Sequence, residues 1–367
     1  MRPRRVGLRT LLPLGLLAAA LAGGAANSQT IYDVFSARWP SLVLPHDAHV
    51  VVVRTVAYSS PISGPRANTG RAVRPPSADS AIQLEPKTEL IKFVSSPFPY
   101  DGVVPSTERP FLDVNEGGQK GHRTARGAIL WERETFSDNR VLVHIPSGFD
   151  INRPAVMVVF FHGHGADLTR DVLNRQNVPQ QITLSGMNAV LVAPQFAVDA
   201  ADSSAGRFWQ RGGFARFLDE AGKNLARLNG NPARAKQFAN MPVIIFAYSG
   251  GYLPAAWSIR NGGIGKRLKG LVLLDGLYGE IGDFAKWIKN SRSGFFVSAY
   301  TSSTRRQNME LANILREQNV PYSTDIGHHL WNGGVALLQT DADIRHRNFV
   351  TQAWTGNPIA DILSKLN

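Results

Sequence analysis

Cysteine is absent from the 367 residues. That excludes disulfides, a thiol nucleophile and a lipidated N-terminal cysteine, so the folded chain must be held by its core. Acidic residues are in deficit, 28 Asp and Glu against 40 Lys and Arg, for a net charge of +12. Four of the cations (Arg2, Arg4, Arg5, Arg9) fall in the first ten residues, and the rest of the chain still carries +8. A basic surface suits nucleic acid, anionic lipid or acidic polymer. No RNP, zinc-finger or basic-helix motif accompanies the charge, so nucleic acid is not an expected partner. No apolar run reaches the ~20 residues that span a bilayer, and a stable membrane anchor is not expected either. Asn261-Gly-Gly-Ile-Gly-Lys266 fails as a phosphate loop, because Arg260 holds its first glycine position and Arg267 its Ser/Thr position.

What is present begins with a targeting segment. Arg2-Pro-Arg-Arg5 precedes the short apolar core Leu11–Leu21 and then Ala22-Gly-Gly-Ala-Ala-Asn27. This is the pattern of a secretory signal peptide over residues 1–26, cleaved near Ala26, and it implies a secreted or periplasmic protein. Arg4-Arg5 is followed by Val-Gly-Leu, a poor match to a twin-arginine signal. Residues 27–91 read as an N-terminal extension or linker. They hold one strand candidate, His49–Ala57, and a stretch rich in Ser, Pro, Arg and Gly that forms either a loose arm or a segment packed on the main domain.

From residue 92 to 367 the pattern is that of one large domain; at 43% hydrophobic the composition allows a sizeable core. Gly127–Phe136 and Asn139–Pro146 read as an antiparallel pair. Continuous apolar runs at Ala155–Phe161, Asn188–Pro194, Met241–Tyr248, Leu268–Leu274 and Phe295–Tyr300 read as buried strands. Helical patterns lie between them, at Asp171–Ser185, Gly213–Leu228, after Ser249, around Phe284–Ile288 and at Met309–Leu315; a last helix is expected over Asp343–Trp354. Alternating strands and helices imply an α/β fold, a mostly parallel sheet with helices on both faces and the antiparallel part at one edge.

Met241–Tyr248 runs directly into Ser249-Gly-Gly251 and a helix. A strand, a tight turn with serine at its apex and a helix form a nucleophile elbow of the G-x-S-x-G type, here with Ala247 in the first glycine position. Upstream, Phe160-Phe-His162-Gly-His164-Gly165 follows a buried strand. An acyl-transfer site needs backbone N–H groups aimed at the oxygen that becomes negative, and a His-Gly-x-Gly turn lets the backbone come close. The expected oxyanion donors are His164 or Gly165, and Gly250. With Arg140–Asp150, His162-Gly163 and Val192-Ala-Pro194, the chain resembles the α/β-hydrolases, and among them secreted serine esterases of the feruloyl-esterase and polyhydroxyalkanoate-depolymerase kind, over about residues 125–345. The elbow departs from those esterases in having Ala247 in place of glycine. A competing zinc reading of His162-x-His164 fails on spacing: Asp167 falls three residues after the second histidine, Ala166 takes the required position, and two histidines rarely suffice for a catalytic zinc. No metal or organic cofactor is expected.

The general base should be a histidine after the last strand. A Gly-His junction favours His328; the His-x-Trp pattern of the resembled esterases favours His329, which is preferred. His346 is assigned to the surface of the final helix. The orienting acid is expected at Asp275, because Thr301–Asn308, after the next strand, holds no carboxylate and the chain order Ser249, Asp275, His329 matches the family order. Asp283 and Asp325 are reserves. Arg207 and Trp209, after a strand end, and Tyr248, beside the serine, are candidate substrate contacts. The implied activity is hydrolysis of small or polymeric carboxylic esters through an acyl-enzyme. The alternatives are a cell-envelope peptidase or amidase, and a non-catalytic binding protein on the same fold.

Overall fold

The computed structural model describes residues 82–366 other than 292, 328, 329, 331 and 332. The expected signal segment, the strand candidate His49–Ala57, and His328 and His329 lie outside the described residues. Eight strands form the main sheet: β1 Lys87–Lys92, β2 Arg140–Ile145, β3 Val156–Phe161, β4 Ala189–Pro194, β5 Val243–Tyr248, β6 Leu268–Leu274, β7 Phe295–Tyr300 and β8 Val335–Gln339. Their spatial order is β1-β2-β4-β3-β5-β6-β7-β8. From β4 to β8 every neighbour is parallel, while β2 runs antiparallel to both β1 and β4.

The central strands are buried along their whole length, as their unbroken apolar runs require when both sheet faces are covered. One face packs against α2 (Gly213–Asn229), α3 (Tyr252–Asn261), α4 (Ile281–Asn290) and α5 (Arg305–Glu317). The other packs against a wide π-type helix at Leu168–Arg175, α1 (Val178–Leu184) and α6 (Pro358–Ser364). The expected mostly parallel sheet with helices on both faces is therefore present.

Several local expectations fail for physical reasons. Gly127–Phe136 and Asn139–Pro146 do not pair: Ile129–Trp131 joins Val114–Glu116 and Gln119–Arg123 in a separate three-stranded sheet. Five of the six residues of Arg140–Ile145 are buried, so this strand needs cover on both faces and takes an inner place between β1 and β4. Its partner β1 lies in the stretch that composition assigns to the extension. The helix expected over Asp171–Ser185 is two pieces, broken at Asn177 in the left-handed region (φ 50°); Pro179 then sits in the first turn of α1, where a missing N–H costs nothing. Asp343–Trp354 is no helix but a single turn at His346–Asn348, and the last helix comes later, as α6.

His144 on β2 illustrates the cost of covering both faces. Its Nδ1 lies 2.7 Å from the Thr88 hydroxyl and its Nε2 3.0 Å from that of Thr183, and burial pushes its pKa down to about 4. The folded protein refuses a proton that the unfolded chain binds below about pH 6.5. Stability from this group is thus full above that pH and declines as pH falls toward 4, by about 3 kcal/mol in total at ~1.4 kcal/mol per unit. Urea titrations at pH 7 and pH 4.5 should show that a His144→Gln variant loses less stability between the two than the parent does.

Candidate active site

The site forms at the carboxyl ends of β5 and β6, where the chain makes two strained turns. Ser249 follows β5 with φ 52°, and Asp275 follows β6 with φ 43°. Non-glycine residues in this region cost on the order of 1–3 kcal/mol each and persist only where the surroundings enforce the conformation. Close packing enforces it here. A methyl on Gly251 would come within 2.5 Å of the Phe161 carbonyl oxygen, and one on Gly163 within 2.7 Å of Ser249 Cβ. Ala247, by contrast, points its methyl into the core on the α2–α5 side of the sheet, so the first position of the elbow tolerates a side chain.

Ser249 Oγ lies 2.8 Å from His346 Nε2, and His346 Nδ1 lies 2.6 Å from Asp275 Oδ2. A ring nitrogen against a carboxylate must donate, so Nδ1 carries the proton and the Nε2 lone pair faces the serine hydroxyl. Exposure falls along this line: His346 is 36% exposed at its side chain, Ser249 9%, and Asp275 is fully buried. The loop after β7, where no carboxylate was available, serves as a cradle for Asp275. Thr301 N–H donates to Oδ1 at 3.0 Å, the Thr304 hydroxyl to Oδ1 at 2.8 Å, and the hydroxyls of Thr301 and Ser303 to Oδ2 at 2.8 and 2.9 Å. Burial pushes this carboxyl up. The hydrogen bond and charge of His346, followed by the bonds from Thr301 and Thr304, outweigh it and hold the group below the usual carboxylate range.

His346 is the residue that the sequence reading missed. The rule of a histidine after the last strand holds, but the last strand is β8, a five-residue run Val335-Ala-Leu-Leu-Gln339 too short to stand out by its apolar pattern, rather than β7. Gly333-Gly334 before it and Thr340-Asp-Ala-Asp343 after it are the turn signals that mark the strand. Tyr248, expected at the substrate, is buried against the imidazole instead. Its ring stacks on His346 at 5.2 Å and 23°, and its hydroxyl donates to the His346 carbonyl at 2.9 Å. Tyr278 meets the same imidazole edge-on at 6.1 Å.

The turn after β3 is equally specific. His162 donates from Nδ1 to the Gly163 carbonyl (2.8 Å) and accepts at Nε2 from the Phe196 N–H (2.9 Å), with Gln195 Nε2 at 3.0 Å. Both nitrogens are committed to shaping the turn, and Asp167 caps the helix at Leu168–Arg175; neither is placed as a metal ligand. Gly165 does not offer its N–H to the serine: it donates to the Ala200 carbonyl at 2.9 Å. The His164 ring packs over Gly250, and a methyl at Gly250 would meet His164 Cδ2 at 2.5 Å.

Arg207 and Trp209 hold structure together. The Arg207 guanidinium donates to the Pro99 carbonyl, and its other side lines a groove of about 630 Å³ with Lys92, Arg216, Lys223 and Arg227. Trp209 is buried against Tyr100 and Phe111, each at 5.6 Å. Of the reserve acids, Asp283 pairs with Arg260, and Asp325 bonds to Ser323.

Two variants test this geometry. Gly250→Ala drives a methyl into His164 and Ser203 and should lower the urea midpoint, because overpacking costs about 1–3 kcal/mol, and should slow labelling of Ser249 by a fluorophosphonate probe by at least tenfold. For Asp275 the sign follows from its lowered pKa: its ionised form stabilises the fold above about pH 4 and that contribution is lost as pH falls below it. Asp275→Asn should therefore be less stable than the parent at pH 7, with the gap narrowing below pH 4 in parallel denaturation curves.

No family profile and no curated protein matches the chain. Among solved structures it is similar to a serine-to-alanine mutant of the feruloyl esterase module from Clostridium thermocellum complexed with sinapinate, at 16% identity, 62% of this chain, 82% of that one and a TM-score of 0.42. An S-formylglutathione hydrolase from Agrobacterium tumefaciens aligns at 12% identity over 69% of this chain and 98% of its own, with a TM-score of 0.39. A Pyrobaculum calidifontis esterase aligns at 16% over 61% and 79%, with a TM-score of 0.36. The strand order, the antiparallel β2 and the serine elbow after β5 are this chain's own, and by them it has the α/β-hydrolase fold.

Proposed function

We propose that the chain is an exported serine hydrolase acting on carboxylic esters. The observation that carries the reading is His346 bridging Ser249 and Asp275 at 2.8 and 2.6 Å. A binding protein has no need to hold a serine hydroxyl, an imidazole and a buried carboxylate in line. Ser249 Oγ attacks the acyl carbonyl while His346 Nε2 takes its proton. Asp275 keeps the ring in the Nδ1–H tautomer and stabilises the imidazolium. The N–H groups of Gly250 and His164 hold the developing oxyanion. His346 returns the proton to the leaving alcohol; water then attacks the acyl carbon as His346 Nε2 takes its proton, and that proton passes to Ser249 Oγ as the bond between Oγ and the acyl carbon breaks and the acid leaves. Export rests on the arginine-flanked apolar core at residues 1–26.

Ser249→Ala and His346→Ala should each cut turnover of a p-nitrophenyl ester by on the order of 10⁶, because the members of a triad act as a unit. A fluorophosphonate probe should label Ser249 in the parent and not in Ser249→Ala. Turnover of the clean Ser249→Ala protein within tenfold of the parent would overturn the mechanism. Faster turnover of a matched amide or a peptidoglycan fragment than of the ester would move the activity to an amidase. Recovery of the protein only in the cytoplasmic fraction would remove the export assignment.

A further inference from the structure

The loop that follows β4 brings a side chain to the nucleophile that the triad does not use. Ser203 Oγ lies 2.6 Å from His164 Nε2. Both atoms press on the residue after the nucleophile: a Cβ built on Gly250 would meet Ser203 Oγ at 2.5 Å and His164 Nε2 at 2.7 Å. The hydroxyl is held in place from behind. Asp202 accepts from the Ser204 N–H at 2.8 Å and from the Ser204 hydroxyl at 3.2 Å, a short turn with Ser203 at its centre. The Gly165 N–H to the Ala200 carbonyl, at 2.9 Å, ties the same loop to the turn after β3.

Resting on Ser249 as the nucleophile, we propose that the Ser203 hydroxyl is a side-chain donor to the substrate oxyanion, with His164 as its positioning residue. The distances permit it. An amide nitrogen and the Cβ of the same residue are about 2.5 Å apart by covalent geometry, so Ser203 Oγ lies within about 5 Å of the Gly250 nitrogen. One oxygen can accept from an amide at about 2.9 Å and a hydroxyl at about 2.7 Å whenever the two donors are less than about 5.6 Å apart. The proton inventory agrees. Burial, then the neighbouring His346 and His162, push the His164 pKa down to about 4, so the ring is neutral near pH 7. The proposal places the neutral ring's one proton on Nε2, so that His164 donates across the 2.6 Å contact to Ser203 Oγ and the serine's own proton is left for the oxyanion. Gly250 is the residue type that leaves room for this pair.

The test compares Ser203→Ala, and the near-isosteric pair Ser203→Thr and Ser203→Val, in kcat, KM and the Ki of a trifluoromethyl ketone that forms a tetrahedral adduct on Ser249. Loss of one oxyanion donor is worth on the order of 10²-fold in kcat. Ser203→Ala and Ser203→Val should lose about that factor in kcat and in inhibitor affinity together, with KM unchanged, and Ser203→Thr should regain most of both. His164→Gln, which retains a donor to Ser203, should exceed His164→Ala in kcat at equal thermal stability. Kinetics within twofold of the parent for Ser203→Ala, or equal kcat for the Thr and Val variants, overturns the proposal while leaving the triad intact. Activity that survives Ser249→Ala instead overturns the triad itself.

Discussion

A carboxylate with no exposure to water organises this molecule. Removing Asp275 from solvent costs several kcal/mol unless its lone pairs are filled, and the chain fills them from two separate places. Thr301, Ser303 and Thr304 come from the loop after β7, and His346 comes from beyond β8. The parallel packing of β6, β7 and β8 is what brings those segments together. The loop after β7 also explains why the acid can stand at the end of β6: hydroxyls there reach across one strand spacing to orient a carboxyl that begins from its neighbour. Four donors besides the histidine fix its direction, so the imidazole meets an oxygen that has no freedom to turn away.

Much of the fold was legible because its central strands are long apolar runs that admit few other structures, and because Ser249 sits between a strand and a helix with glycines where the backbone is crowded. Asp275 could be read from chain order and from the absence of carboxylates in Thr301–Asn308. The base could not. Val335–Gln339 is short, its last two residues are not fully covered, and the segment after it mimics helical spacing without forming a helix. The pairing of Arg140–Ile145 with residues some fifty positions earlier was equally hidden, since periodicity tells which residues are buried and says nothing of their distant partners. The Gly165 N–H was misjudged for a related reason. Its acceptor, the Ala200 carbonyl, belongs to a loop whose approach depends on tertiary packing alone.

The aromatic layer beside the site shows how an insertion becomes part of the scaffold. Phe98, Phe111 and Phe136 lie between β1 and β2 in the chain, yet they pack on one another and, through Tyr100 and Phe111, on Trp209. His122 stacks on Phe111 at 4.5 Å and bonds to its carbonyl. Ser203 precedes Trp209 by six residues, so the loop that brings Ser203 beside Gly250 is anchored at its far end in this apolar layer.

The turn that carries His346 has a different standing from the strands that carry its partners. Ser249 and Asp275 stand at the ends of central strands, whereas His346 rides on a single turn, fastened by the Tyr248 hydroxyl, by Arg175 to the Arg347 carbonyl at 3.1 Å and by Gln181 to the Val350 carbonyl at 2.8 Å. Proteins open in parts, and segments with few anchors open at lower free energy than central sheet. In the proposed mechanism the base therefore stands on one turn, rooted in the core by the buried Phe349 and Val350, and the serine and carboxylate stand at the ends of two strands. Opening of that turn alone would part the imidazole from Ser249 while Asp275 kept its four donors from the loop after β7.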